Sequence, residues 1–311
     1  MARLSIVIPT LGRSGALPEV IAGLEAQRPA LDDVEVLLVL DAHGYPEGLE
    51  GLPAHRRSFA LDVLRAEHPG ASAARNAGWH AARAPLVLFL DDDIVPEAGL
   101  VSAHLRWHRR HPAPEVAVLG AVHWSPQVKV TPFMRWLEMG IQFDYGTIDG
   151  TDVGWQRFYS CNVSVKRELL ARTGGFDERR FPYGYEDLEL ARRMWSEHGL
   201  RLLYNPDARG QHLKTETLES WRRNLRRIAI AERRFTELYP EERPYFYERF
   251  QAAAQAPPAR GRSARLARLV SPGFPWLGRV VWRSYDLVCA QSLAPEFLAE
   301  WESADAGARV R

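Results

Sequence analysis

Three mainly apolar runs, Leu4–Ile8, Val34–Leu40 and Leu86–Leu90, stand out in the first ninety positions. Each stops at a polar or turn residue, and their length and β-branched content predict buried strands. Phe59–Arg65 reads as a shorter strand. Between them, Leu17–Gln27 has helical spacing and Ala71–Ala82 is rich in alanine, a strong helix former. Strands alternating with helices through short connections predict a mostly parallel sheet flanked by helices. Ligands of such sheets bind at the carboxyl ends of the strands. Thr10, Asp41 and Asp91–Asp93 directly follow apolar strands, so the pattern brings them to one edge.

Further along, Val116–Val122 and Asn162–Val165 read as strands, and Leu200–Tyr204 as a short one. The stretch from Trp124 to Tyr159 is aromatic and irregular. Its residues Thr131–Phe143 fit an amphipathic helix, and its Trp and Tyr residues equally suit stacking on sugar faces. Leu188–His198 is a predicted helix after the turn Phe181–Tyr185. Thr217–Leu238 is a long basic amphipathic helix with Thr217 as its cap. Ala252–Gly261 has linker composition, and the tail reads as helical with a break at Ser271–Pro275.

The bulk composition excludes more than it selects. The 311 residues are 46% hydrophobic and 25% charged, with a formal charge of +1, so no global field points to nucleic acid. Two cysteines, Cys161 and Cys289, form neither a disulfide framework nor a zinc spacing, which suits a reducing cytoplasm. The N-terminal apolar run is too short for a signal peptide, and no eighteen consecutive apolar residues occur. Locally, seven arginines and no acid fall between Arg249 and Tyr285. Together with Leu266–Trp282 they read either as a peripheral contact at the inner face of an anionic membrane or as a helical cap on the catalytic domain or on a second subunit.

Three constellations carry candidate chemistry. Asp91-Asp92-Asp93 gathers three carboxylates whose repulsion a hard divalent cation would relieve. Taken alone, the triplet also fits a solvated turn or a helix cap. Glu186 and Asp187 open a helix, where acids favour the helix dipole. The same place suits a general base at a cleft. His212 reads as a structural histidine, a metal ligand or a diphosphate contact.

These residues occur within a larger ordered set. Ser5–Thr10, Val39–Asp41, Gly70–Gly78, Val87–Asp93, Cys161–Arg167, Gly174–Asp177, Tyr185–Leu190 and His212 resemble, in this order, family 2 glycosyltransferases of the GT-A fold. The resemblance covers about residues 3 to 215. It implies a GT-A (Rossmann-like) α/β domain over 1–240, with a nucleotide-sugar half to about 115 and an acceptor half over 116–240. Residues 241–311 would form a helical C-terminal extension. It also implies an inverting transfer of sugar from a nucleoside-diphosphate sugar, UDP before GDP or dTDP, to a glycan, lipid or small-molecule hydroxyl. Pro9, Thr10, Asp41, Arg75, Asp91 and Asp92 would bind the nucleotide sugar. Asp93 and His212 would hold Mn²⁺ or Mg²⁺, Glu186 would hold hydroxyls, and Asp187 would be the base. One departure is Asp41-Ala42-His43-Gly44, where the family usually has paired acids. Rival readings are a sugar-nucleotide-forming nucleotidyltransferase, for which Thr10–Gly15 is a poor phosphate loop, and a silent nucleotide-sugar-binding module.

Overall fold

The computed structural model describes residues 3–28, 33–49, 59–138, 140–142, 144–258 and 275–308. The chain divides into two compact units, one of residues 1–128 and 145–214, the other of residues 129–144 and 215–311.

The first unit is built on an eight-stranded sheet. Its strands are β1 (Leu4–Thr10), β2 (Val34–Leu40), β3 (Ala60–Arg65), β4 (Leu86–Leu90), β5 (Ile94–Pro96), β6 (Val116–Trp124), β7 (Asn162–Lys166) and β8 (Arg201–His212). The spatial order is β3-β2-β1-β4-β7-β6-β8-β5. β3, β2, β1 and β4 run parallel. The other half is mixed: β7 is antiparallel to β4 and β6, β8 is parallel to β6, and β5 is antiparallel to β8. β1, β2 and β4 are buried on both faces, which is why they read as mainly apolar runs.

Helices α1 (Leu17–Glu25), α2 (Ala71–Ala81) and α3 (Leu100–Arg110) connect the strands, with α5 (Arg167–Thr173) and α6 (Glu186–His198) later in this unit. The strand directions bring the carboxyl ends of β1, β2, β4, β6 and β8 and the amino end of β7 to one edge. Registers such as Thr10 opposite Leu40, Leu90 opposite Asn162 and Trp124 opposite His212 fix that edge.

The second unit holds α4 (Pro132–Leu137), α7 (Leu218–Leu238), α8 (Tyr245–Gln255) and α9 (Pro275–Ala308). Thr217 and Ser220 form a capping box at the start of α7. Glu232, fully buried on α7, accepts the backbone N–H groups of Phe246 (2.7 Å) and Tyr247 (2.8 Å) and so caps α8. Trp136 on α4 donates to Asp286 on α9 at 2.7 Å. Phe250 packs on Phe297 with ring centres 5.0 Å apart.

Several expected boundaries shift. β8 runs on through Asn205, Pro206 and Asp207 to His212, because a neighbouring strand on each side pairs its polar half. α8 takes in Ala252–Gln255, positions with linker composition, since Phe250 and Ala253 bury against the helical unit. α4 ends at Leu137. The expected break over 271–275 and most of the basic stretch 258–285 lie outside the described side chains. Among the described residues no helix is long and apolar enough to cross a membrane.

Candidate active site

Helix α2 organises the site. Its amino end is Gly70 at φ 117, where an added Cβ would stand 2.5 Å from the Pro182 carbonyl oxygen. A left-handed backbone pressed against another backbone admits only glycine. Ser72 then donates to the Phe181 carbonyl, and its own N–H reaches Pro182 O at 3.3 Å. Asn76 donates to Phe176 O and accepts from Phe176 N, both at 2.9 Å. Ser72 and Asn76, i and i+4 on α2, therefore hold segment 176–182, which leads into α6. The residue before α6, Tyr185, has φ 62, a rare conformation for a residue other than glycine.

From the same helix, Arg75 reaches the two acidic groups. Its guanidinium donates to Asp91 Oδ1 at 2.9 Å and to Glu186 Oε1 at 3.0 Å. Burial opposes the charge of Arg75, but Asp91, Glu186 and Asp187 outweigh it and raise its pKa. Arg75 thus stays a permanent cation tying the end of β4 to the start of α6.

The three aspartates after β4 are divided in their contacts. Asp91 takes the arginine. Asp92 accepts Thr10 Oγ1 at 2.5 Å and, through its carbonyl, Ser14 Oγ at 3.0 Å. Burial, with Asp93 and Asp91 nearby, pushes the Asp92 carboxyl up to about 7. Asp93 Oδ2 stands 3.3 Å from His212 Nε2 and 3.9 Å from Lys214 Nζ. Burial raises the Asp93 pKa, but His212 and Lys214 outweigh it and hold it below the usual carboxylate value. The His212 ring is stacked on Trp124 at 5.0 Å.

Asp187 lies in the first turn of α6. It accepts the N–H of Leu188 at 2.9 Å and that of Ser160 at 3.4 Å. Burial first, and then the Glu186 charge, push its pKa up to about 7 against the lowering effects of Arg75 and the two N–H groups. A carboxyl held there can exchange a proton near neutral pH. Asp41 differs: one oxygen accepts His43 N–H at 2.8 Å and the other Gly70 N–H at 2.6 Å. It joins the turn after β2 to the start of α2. Pro9 is half-buried near the end of β1.

Asp93 and His212 put a carboxylate and an imidazole side by side, a donor pair that fits Mn²⁺ or Mg²⁺ when phosphate oxygens and water complete the shell. Among the described residues, no group of three or more His, Cys, Asp and Glu stands together as a metal cluster. Sequence reasoning missed Ser72 and Asn76. Their signal was a pair of polar residues at i and i+4 in an alanine-rich helix.

The model of Glycosyl transferase family 2 matches residues 5–172, more than half of the chain. That of the N-terminal domain of galactosyltransferase matches residues 149–215. Validoxylamine A glucosyltransferase of Streptomyces hygroscopicus subsp. jinggangensis is 27% identical over 67% of this chain and 54% of its own length. The O-antigen biosynthesis protein RfbC of Myxococcus xanthus is 29% identical over 68% of this chain and 17% of its length. The chain thus spans about half the length or less of these curated relatives. Among solved structures, the mannosyltransferase PcManGT of Pyrobaculum calidifontis, in complex with GDP-Man and Mn²⁺, is similar with a TM-score of 0.59 and 19% identity. That likeness covers 95% of this chain and 87% of the other. S. aureus TarS 1-349 in complex with UDP has a TM-score of 0.56 at 15% identity, over 98% and 92%. By these matches, the chain belongs to glycosyl transferase family 2 and has the GT-A fold.

Proposed function

We propose that this chain is an inverting glycosyltransferase that moves a sugar from a nucleoside-diphosphate sugar to an acceptor hydroxyl. The observation that carries the reading is the single sheet edge on which Arg75 ties Asp91 to Glu186, beside Asp93, His212 and Asp187. Thr10, Asp91 and Asp92 form the donor wall, and Asp187 is the base. The acceptor oxygen bonds to sugar C1 as the bond from C1 to the diphosphate oxygen breaks. Asp187 takes the acceptor proton, and the nucleoside diphosphate departs with the bonding pair. One displacement inverts C1 and needs no enzyme nucleophile. Asp93 and His212 would hold the divalent cation, which when bound offsets the charge growing on the leaving diphosphate. Glu186, fixed by Arg75, offers its second oxygen to a sugar or acceptor hydroxyl.

Family membership supports a nucleotide-sugar donor, and the complexes of similar folds with UDP and GDP-Man fit that reading. UDP-sugars are the first choice. The Asp41 contacts bear on nucleotide binding indirectly, through the turns they hold rather than through a free carboxylate.

The test is a thermal-shift screen of UDP-, GDP- and dTDP-sugars with and without Mn²⁺. A bound donor raises apparent stability by mass action. One nucleotide class should stabilise the protein only when the metal is present. No shift with any of them at millimolar concentration would reject the reading.

A further inference from the structure

A buried hydrogen-bond chain runs behind the site, between α3 and β7. Lys166 Nζ lies 3.2 Å from His108 Nδ1, and His108 Nε2 lies 2.8 Å from Ser164 Oγ. Ser164 Oγ lies 2.8 Å from His104 Nδ1, and His104 Nε2 lies 3.0 Å from Asn162 Oδ1. Asn162 Nδ2 donates to the carbonyls of Ala121 at 3.2 Å and Ala208 at 2.9 Å. Asn162, Ser164 and His104 are fully buried.

Both ends dictate the direction of this chain. An ammonium only donates, so His108 Nδ1 accepts and its Nε2–H donates to Ser164. An amide oxygen only accepts, so His104 Nε2–H donates to Asn162 and its Nδ1 accepts the Ser164 hydroxyl. Every proton therefore points one way, from Lys166 to the β6–β8 carbonyls. Burial lowers His104 to about 4, and burial with Lys166 and His104 lowers His108 to about 3, so both rings are neutral, as this order requires. Gly120 makes room for the far end: a Cβ there would collide with Asn162 Nδ2 and the Ala208 carbonyl.

Asn162 begins β7, and the two residues before it touch both walls of the site. Cys161 O accepts the N–H of Asp91 at 3.2 Å, and Ser160 N–H donates to Asp187 Oδ2 at 3.4 Å. Residues 160 and 161 are thus a strut between the donor-side carboxylates and the base. We propose that the His104–Asn162 hydrogen bond fixes this strut, so that His104 and Asn162 are positioning residues that set the place of Asp187 relative to Asp91. The inference rests on Asp187 being the base, as proposed above. Besides the Ser160 and Leu188 N–H groups, the groups that act on Asp187 are Glu186 on α6 and Arg75 on α2, with the Cys161 thiol nearby.

Two substitutions separate positioning from bulk stability. His104→Gln keeps an amide donor near the place of Nε2, whereas His104→Asn keeps only the contact near Nδ1. Ser164→Ala, a change of one hydroxyl, is the mild third variant. Transfer is measured against pH for each folded protein, beside wild type and Asp187→Asn. His104→Asn should lose about tenfold or more in kcat with donor KM within about twofold, the scale of a small misplacement of reacting groups. Ser164→Ala, which keeps the His104–Asn162 bond but loses the hydroxyl that orients His104, should lose less. Their acidic limb should move to higher pH, because Asp187 loses the Ser160 N–H. His104→Gln should recover most of kcat. Equal kcat and an unmoved limb in all three, or failure of all three to fold, would overturn the inference and leave a purely structural network. Full transfer by Asp187→Asn would instead overturn the base assignment, independently of how the His104 variants behave.

Discussion

Arg75 and Glu186 form a buried ion pair at 3.0 Å, and the other end of the same guanidinium reaches Asp91 at 2.9 Å. The pair links α2 to α6 while Arg75 also joins α6 to the end of β4, so one side chain sets two walls of the site. Arg75→Met should cost about 3–5 kcal/mol, because carboxylates are left buried without their cation. Arg75→Lys keeps the charge but cannot bridge two carboxylates in fork geometry. Chemical denaturation and transfer assays check this. The lysine variant should fold with transfer lowered about a hundredfold.

The raised pKa of Asp187 gives a pH prediction with a definite sign. As the proposed base, Asp187 would act only when ionised, so kcat should fall as pH drops through about 7. For stability the effect is opposite. A carboxyl raised from 3.8 in the open chain to about 7 in the fold binds its proton more tightly when folded. That contribution is present at low pH and is lost as pH rises through about 7. Asp187→Asn should therefore melt at or above the wild-type temperature at pH 8, by calorimetry, with transfer abolished.

Asp93 and His212 should act together on the metal. With a nucleoside diphosphate present, Mn²⁺ should raise the wild-type melting temperature. Asp93→Ala and His212→Ala should each remove most of that increment and leave the ligand-free melting temperature within a few degrees. An unchanged increment in both variants would place the cation elsewhere.

Asp41 should behave as a structural acceptor. Asp41→Ala leaves the N–H groups of His43 and Gly70 without their partner, at about 1–3 kcal/mol. Hydrogen exchange should quicken at Gly70 and at the start of α2. Weaker nucleotide binding should accompany that loosening.

Much of this was legible in the sequence, for identifiable reasons. β1, β2 and β4 are buried on both faces, so they read as mainly apolar runs, with the buried polar residues Ser5 and Glu35 hydrogen-bonded to each other. The acids follow those strands, so the edge they share was legible as well. β5 is three residues long, too short to show a period, and α3 completes its buried face of Leu100, Val101 and Ala103 with the polar His104 and His108, which blurs its apolar stripe. What the pattern could not give was partnership. Asp91, Asp92 and Asp93 look alike in sequence, yet one takes Arg75, one Thr10 and one His212. The buried relay did have a signature: histidines at i and i+4 on α3, and Asn162, Ser164 and Lys166 at every second position of β7.

The central claim is that Asp187 takes the acceptor proton while the metal-dependent donor site stands apart from it. The most direct test is Asp187→Asn, assayed side by side for Mn²⁺-dependent nucleotide affinity and for sugar transfer with the donor found in the screen. Nucleotide affinity within about twofold of wild type, with transfer down by about a hundredfold or more, is the expected result. Transfer near the wild-type rate would contradict the account and move the base to another residue.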